Sequence, residues 1–188
     1  MQMRSFGARL ALVTTMVLPL VSCQYFDQLQ AIKVFKDANT FYQRADYEAA
    51  AVMYEEVIAN DPNHESAYFY LANSYDNLFR PALRGEPAND LLLEKAIDNY
   101  ISSVDIQTDQ AMRTLSMQYL VAAFGPDKGN DPARSEPVLQ QMIRNDPANP
   151  DNYFALAKLY EDSGLYEEAE QVFLQVRDLR ADDAVAAV

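Results

Sequence analysis

The chain has 188 residues, and hydrophobic side chains make up 49% of them, enough to fill a packed core and to exclude wholesale disorder. One Cys and one His exclude an intrachain disulfide, a thiolate zinc cluster and most nucleophile–base or multi-histidine metal designs. The net charge of -13, from 28 acidic and 15 basic side chains, repels phosphate and makes nucleic acid and anionic headgroups poor partners for the chain as a whole.

The first residues read as an address. Arg4 and Arg9 form a positive start without an acidic residue, and an apolar run from Leu10 follows. That run is about half the ~20 residues a spanning helix needs, and Thr14, Thr15 and Pro19 interrupt it, so a signal peptide is expected over residues 1–22. It ends in Leu20-Val21-Ser22-Cys23, which resembles the lipobox of bacterial lipoproteins. The resemblance implies cleavage before Cys23 and acylation of that residue. More than one acyl chain is needed for a lasting anchor, since each buried CH₂ contributes only ~0.8 kcal/mol. The rival reading is a buried free Cys after a plain signal peptide. Gln24 stands where an Asp would be found in lipoproteins kept at an inner membrane, so the resemblance implies sorting to an outer membrane facing the periplasm.

The remainder repeats. Ala38, Phe41, Ala50, Tyr54 and Val57 recur without gaps as Ala157, Tyr160, Ala169, Phe173 and Val176. Looser copies lie between them. One carries Ala72, Tyr75, Ala96 and Tyr100 around an insertion at 80–90; the other carries Met117, Ser135, Leu139 and Met142 around an insertion at 125–132. Pro62 and Pro147 stand 85 residues apart, 17 more than two ~34-residue periods, and insertions of 12 and 5 residues account for the excess. This pattern resembles the tetratricopeptide repeat. The fold expected is all-α, a right-handed α-solenoid of helix pairs. A tether is expected at 23–29 and repeats at 30–64, 65–109, 110–149 and 150–183. Residues 184–188 are expected to open a further helix or tail.

Physical chemistry explains the residue types. Ala38, Ala72, Ala157, Ala50, Ala96 and Ala169 let paired helices approach, and Phe41, Tyr54, Tyr75, Tyr100, Tyr160 and Phe173 fill the wedge between them. Asn60-Asp61-Pro62 and Asn145-Asp146-Pro147 end helices, and Gly164 serves a tight turn. The third copy departs from the pattern, with Gln118 where a small residue is expected. No polar capping helix is evident near Val188, so the chain is expected either to continue into more repeats or to dock something on its last face.

Little chemistry is legible. His64 reads as a solvated turn residue, and the neighbouring acids Glu55/Glu56 and Glu167/Glu168 point in different directions on a helix. Asp127, Asn130 and Asp131 lack the spacing of a calcium loop. No catalytic residue, metal or cofactor is expected.

The better candidate is the concave face that the tetratricopeptide resemblance implies. Projected onto this chain, it would be lined by Phe35, Asn39, Tyr42 and Gln43, then Phe69, Asn73, Asp76 and Asn77, then Tyr119, and then Phe154, Lys158 and Glu161. Phe35, Met112 and Ser116 occupy places where carboxylate-clamping relatives carry basic residues, so the expected ligand is a protein or peptide with basic and apolar character. Two functions follow as expectations. One is a membrane-anchored periplasmic adaptor serving envelope, secretion or pilus assembly. The other is the N-terminal anchoring part of a longer repeat protein whose further region carries the activity.

Overall fold

The computed structural model describes the backbone of residues 18–186 and the side chains of residues 26–177. Residues 1–17 of the expected leader and the side chain of Cys23 lie outside that range. The helices are α1 (Leu18–Gln43), α2 (Tyr47–Asn60), α3 (Glu65–Leu78), α4 (Pro87–Ile106), α5 (Gln110–Ala123), α6 (Pro132–Asn145), α7 (Pro150–Asp162) and α8 (Tyr166–Ala186). A single 3₁₀ turn, Pro81–Leu83, precedes α4, and there is no strand among the described residues.

Local chemistry sets the boundaries. Carboxylates of Asp46, Asp109 and Asp131 accept the N–H groups of Ala49, Met112 and Arg134 at 3.3, 2.9 and 3.1 Å, so α2, α5 and α6 begin with satisfied donors. Each such cap contributes about 1 kcal/mol. Pro87, Pro132 and Pro150 open α4, α6 and α7, where a missing N–H costs nothing. The tight turns of the first and last hairpins reach positive φ at equivalent places, Ala45 at 58° and Gly164 at 75°.

Each helix packs mainly on its neighbours in sequence, which makes a solenoid of hairpins. The six predicted alanines lie where two helices approach: Ala38, Ala50, Ala72, Ala96 and Ala157 are 0% exposed and Ala169 is 2%. Tyr54 and Tyr100 are fully buried in the wedges beside them. Burial of a ring that size contributes about 4–6 kcal/mol before entropy is counted. Phe173 does not fill its wedge. It is 37% exposed, because no described helix packs beyond α8.

The third hairpin is the loosest, with α5 and α6 sharing the sparsest contact of any consecutive helices. Its register differs from the sequence reading. Counting from the N-caps His64, Asp109 and Asn149, the place of Ala72 and Ala157 is taken by Met117, while Gln118 is exposed. A buried Met at a position suited to Ala holds the helices apart. Pro137 inside α6 also removes one backbone hydrogen bond. The core divides accordingly. One cluster runs from Ala38 to Phe124 across α1–α5, and a second joins Met117 to Leu139, Met142, Tyr153, Leu156 and Val172.

Three further points concern segments. Residues 23–29, expected as a tether, belong to α1, and 184–186, expected to open a new helix or tail, continue α8. The insertions are fixed by contacts of their own. Asn89 pins the first by accepting the Arg80 N–H at 2.8 Å and donating to the Arg80 carbonyl at 3.1 Å. Arg84 then donates to the carbonyls of Pro126 and Lys128 at 3.0 and 3.1 Å, tying the first insertion to the second.

Candidate functional site

The first helices of successive hairpins, α1, α3 and α5, bring together the predicted groove residues of the first three hairpins. Phe35, Asn39, Tyr42 and Gln43 of α1 face Ser66 and Tyr70 of α3 across a cavity of about 330 Å³. Spacings of three and four residues place those four side chains on one face of α1. Tyr70 was not predicted; its position beside Phe69 gave no periodic signal, and only the packing of α3 against α1 turns it into the cavity.

Aromatic rings then form a continuous strip from α1 to α5. Ring centroids are 6.1 Å apart for Phe35–Tyr70, 5.2 Å for Tyr42–Tyr70 and 5.4 Å for Tyr70–Phe69. The strip continues through Phe69–Tyr119 at 5.5 Å and Tyr119–Tyr100 at 5.7 Å. Most contacts are edge-on or tilted, the arrangement ring quadrupoles favour.

A chain of hydrogen bonds underlies the rings. Tyr42 Oη donates to Asn73 Oδ1 at 2.8 Å, Asn73 Nδ2 donates to Tyr100 Oη at 3.2 Å, and Tyr100 Oη donates to Asp76 Oδ2 at 3.4 Å. Lys128 Nζ closes the chain on Asp76 at 2.5 and 2.7 Å, with Asp76 side chain only 7% exposed. Asn77 Nδ2 also donates to Asn73, at 2.7 Å to its carbonyl and 3.0 Å to its Oδ1. Tyr54 Oη donates to Asn39 Oδ1 at 2.7 Å. Burial, and then the neighbouring Tyr47, Tyr119 and Tyr70 hydroxyls, push the Tyr42 hydroxyl up to about 12. Burial, followed by the Asp76 charge, pushes Tyr100 well above the ordinary tyrosine value. Both therefore keep their hydroxyl protons at physiological pH.

The predicted residues consequently divide into three groups. Phe35, Asn39, Tyr42 and Gln43 line open space, Asn77 is exposed, and Tyr119 is 37% exposed on the strip. Phe69, Asn73 and Asp76 are 5%, 5% and 9% exposed, so they form the floor that fixes the surface and do not themselves present an open face. Phe154, Lys158 and Glu161 lie apart on α7: Phe154 meets Phe173 of α8 at 6.2 Å, and Lys158 pairs with Asp162 at 2.9 Å.

His64 is not a solvated turn residue. It is the N-cap of α3, its ring lies 4.3 Å from Phe35, and its Nδ1 is buried without a hydrogen-bond partner. Asp131 is used as the α6 cap and Asn130 as a left-handed turn residue with φ 50°. Among the described residues, no cluster of three or more His, Cys, Asp or Glu is placed to hold a metal ion.

A larger cleft, about 530 Å³, lies between α2, α3, α4 and the first insertion. Ala51, Val52, Leu78, Leu83 and Leu92 give it an apolar wall. Tyr75 lies within it, donating to Glu55 and receiving the Lys95 ammonium, which also sits 4.6 Å from its ring centre.

Models of the tetratricopeptide repeat match residues 35–83 and 128–188. No curated protein matches the sequence. The fold is similar to the crystal structure of MamA, with a TM-score of 0.59 over 82% of this chain and 80% of that one at 15% identity. It is also similar to YrrB, a TPR protein with an unusual peptide-binding site, with a TM-score of 0.55 over 79% of this chain and 68% of that one at 17% identity. With repeats recognised in both halves and a hairpin solenoid throughout, the chain carries tetratricopeptide repeats and has the fold of a tetratricopeptide solenoid.

Proposed function

We propose that the protein is a lipid-anchored adaptor of the bacterial envelope that holds a protein or peptide partner in the concave face of its first three hairpins. The supporting observation is the 330 Å³ cavity of Phe35, Asn39, Tyr42 and Gln43 with Ser66 and Tyr70, set on a hydrogen-bonded floor. Rigid rings offer contact area at low entropic cost, and half-exposed amides can bond an extended backbone. Residues 44–188 carry 26 acidic against 11 basic side chains, so a partner segment pairing Lys or Arg with an apolar anchor is the best complement. The role is recognition without catalysis. It matches envelope, secretion or pilus assembly at the periplasmic face of an outer membrane, with Cys23 bearing the lipid. Tethering raises the local concentration of both components, so a modest groove affinity suffices.

The test is affinity capture of the full chain from solubilised membranes, comparing the natural protein with Ser66→Trp. The indole fills the cavity without removing any core contact, so a partner held there is lost while the helical circular dichroism stays unchanged. Retention of the same partner by Ser66→Trp contradicts the groove.

A further inference from the structure

We infer that the outer face of α1 rests on the lipid surface, so that the solenoid stands on the bilayer through its first helix. This rests on the anchored reading above and adds a second, non-covalent contact to it.

Phe26, Leu29 and Ile32 are 66%, 53% and 63% exposed, although each is a large apolar side chain. They follow one another at intervals of three residues, which places them on neighbouring positions of one side of the helix. The side that packs against the rest of the protein is a different one, carrying Ala31, Val34 and Ala38, at 0%, 7% and 0% exposure. Lys33 and Lys36, both exposed, stand four and seven residues beyond Leu29 and so share its face, with exposed Asp37, eleven beyond Phe26, at the Phe26 edge of it. No ion pair to either lysine occurs among the described residues. Apolar side chains flanked by free ammonium groups are the chemistry of a helix lying in the headgroup region, with apolar groups sunk and cations at phosphate level.

Charge distribution selects the same end. The acidic excess of 26 over 11 lies wholly within residues 44–188, whereas Phe26–Gln43 balances two Lys against two Asp. The whole-chain charge repels a phospholipid surface, and α1 is the place where that repulsion vanishes. Geometry agrees. α1 is continuous through position 23, so the acylated residue would sit about one turn before Phe26, with no flexible spacer between anchor and face. No described helix is long and apolar enough to cross a membrane. Because helices pack chiefly on their sequence neighbours, α8 then lies at the end of the stack remote from the bilayer.

The test labels the full-length chain, expressed where it is acylated, at Leu29→Cys and separately at Tyr166→Cys, a 71%-exposed control on α8. Cys23 is the only natural Cys and is blocked when acylated, so an environment-sensitive maleimide reports one site. In vesicles of phosphatidylethanolamine and phosphatidylglycerol, the position-29 label is expected to be quenched by nitroxide-bearing lipid and several-fold less by aqueous iodide than the position-166 label. Adding Lys33→Glu and Lys36→Glu should restore iodide access at position 29. A position-29 label open to iodide, while palmitate is incorporated, overturns the lipid contact alone. A label shielded from iodide yet untouched by lipid nitroxide means that protein, a second copy or another partner, covers the face, and also overturns it. Absence of palmitate from a helical, folded chain removes the anchored reading and this contact together.

Discussion

Between α1 and α5 the rings touch in an unbroken series, and Asp76 and Lys128 bind the third hairpin to the second across 52 residues of sequence. Among the described residues of α6–α8, Phe154 meets Phe173, Tyr160 Oη donates to Glu136 at 2.8 Å, and Lys158 pairs with Asp162 of its own helix. Both regions hold their alanines and their helix-ending Asp-Pro turns. What separates them is a connected polar chain running through the first three hairpins, which converts a stack of hairpins into a fixed surface. Repeat grammar builds the stack, and residues outside that grammar, above all Lys128 in an insertion, decide where the stack acquires a rigid groove.

The largest expected contrast is between the two ends of the core. Tyr100→Ala should cost about 3–5 kcal/mol in chemical denaturation, since it removes a fully buried ring and leaves Asn73 and Asp76 short of a partner. Phe173→Ala, at an exposed site, should cost under ~1 kcal/mol. Comparable losses at the two positions would erase the distinction between the regions.

Next in size is the link between hairpins. Asp76→Ala strands the Lys128 ammonium and the Tyr100 hydroxyl and should cost about 2 kcal/mol, less than a wholly buried pair because Lys128 retains 26% exposure and can turn to water. Hydrogen exchange should show the added opening in α3–α5 and leave α7 and α8 unchanged. Arg84→Ala, which releases only the contact between insertions, should have a smaller effect of the same kind.

Alkaline pH probes the groove itself. The Tyr42 hydroxyl titrates at about 12 in the fold against 10.0 for an ordinary tyrosine, so its protonated form is favoured by folding. That contribution is whole below pH 10 and is lost as pH rises from 10 through about 12. Phenolate absorbance should therefore show late-titrating tyrosines, of which Tyr42→Phe removes the one near 12 and leaves Tyr100, which is pushed higher. The smallest effect concerns the two tight turns. Ala45→Gly should stabilise the first hairpin by roughly 0.5–1 kcal/mol, and Gly164→Ala should destabilise the last by about 1 kcal/mol, because both places require positive φ.

The solenoid was legible in the sequence because it depends on local rules: alanines at close approaches, Asp-Pro at helix ends, aromatics in fixed wedges. The α1 wall of the groove was legible for the same reason, since helical spacing alone puts Phe35, Asn39, Tyr42 and Gln43 together. The floor was not. Asn73 and Phe69 look like surface candidates by spacing, but α4 and α5 cover them, and Asp76 meets Lys128 only because the second insertion folds back. His64 was misread because a turn position suggests solvent, whereas Phe35 of the preceding hairpin lies over its ring. The third hairpin was misread by one residue, because Met117 and Gln118 offer no small side chain to mark the register.

The most direct measurement is site-specific photo-crosslinking in intact membranes, with a photoreactive amino acid at position 43 on the groove rim and, separately, at position 171 on α8, both exposed. If the concave face of the first hairpins holds the partner, position 43 gives a discrete cross-linked species that Ser66→Trp abolishes, and position 171 gives none. A partner captured from position 171 and not from position 43, or capture at position 43 unaffected by Ser66→Trp, contradicts the assignment.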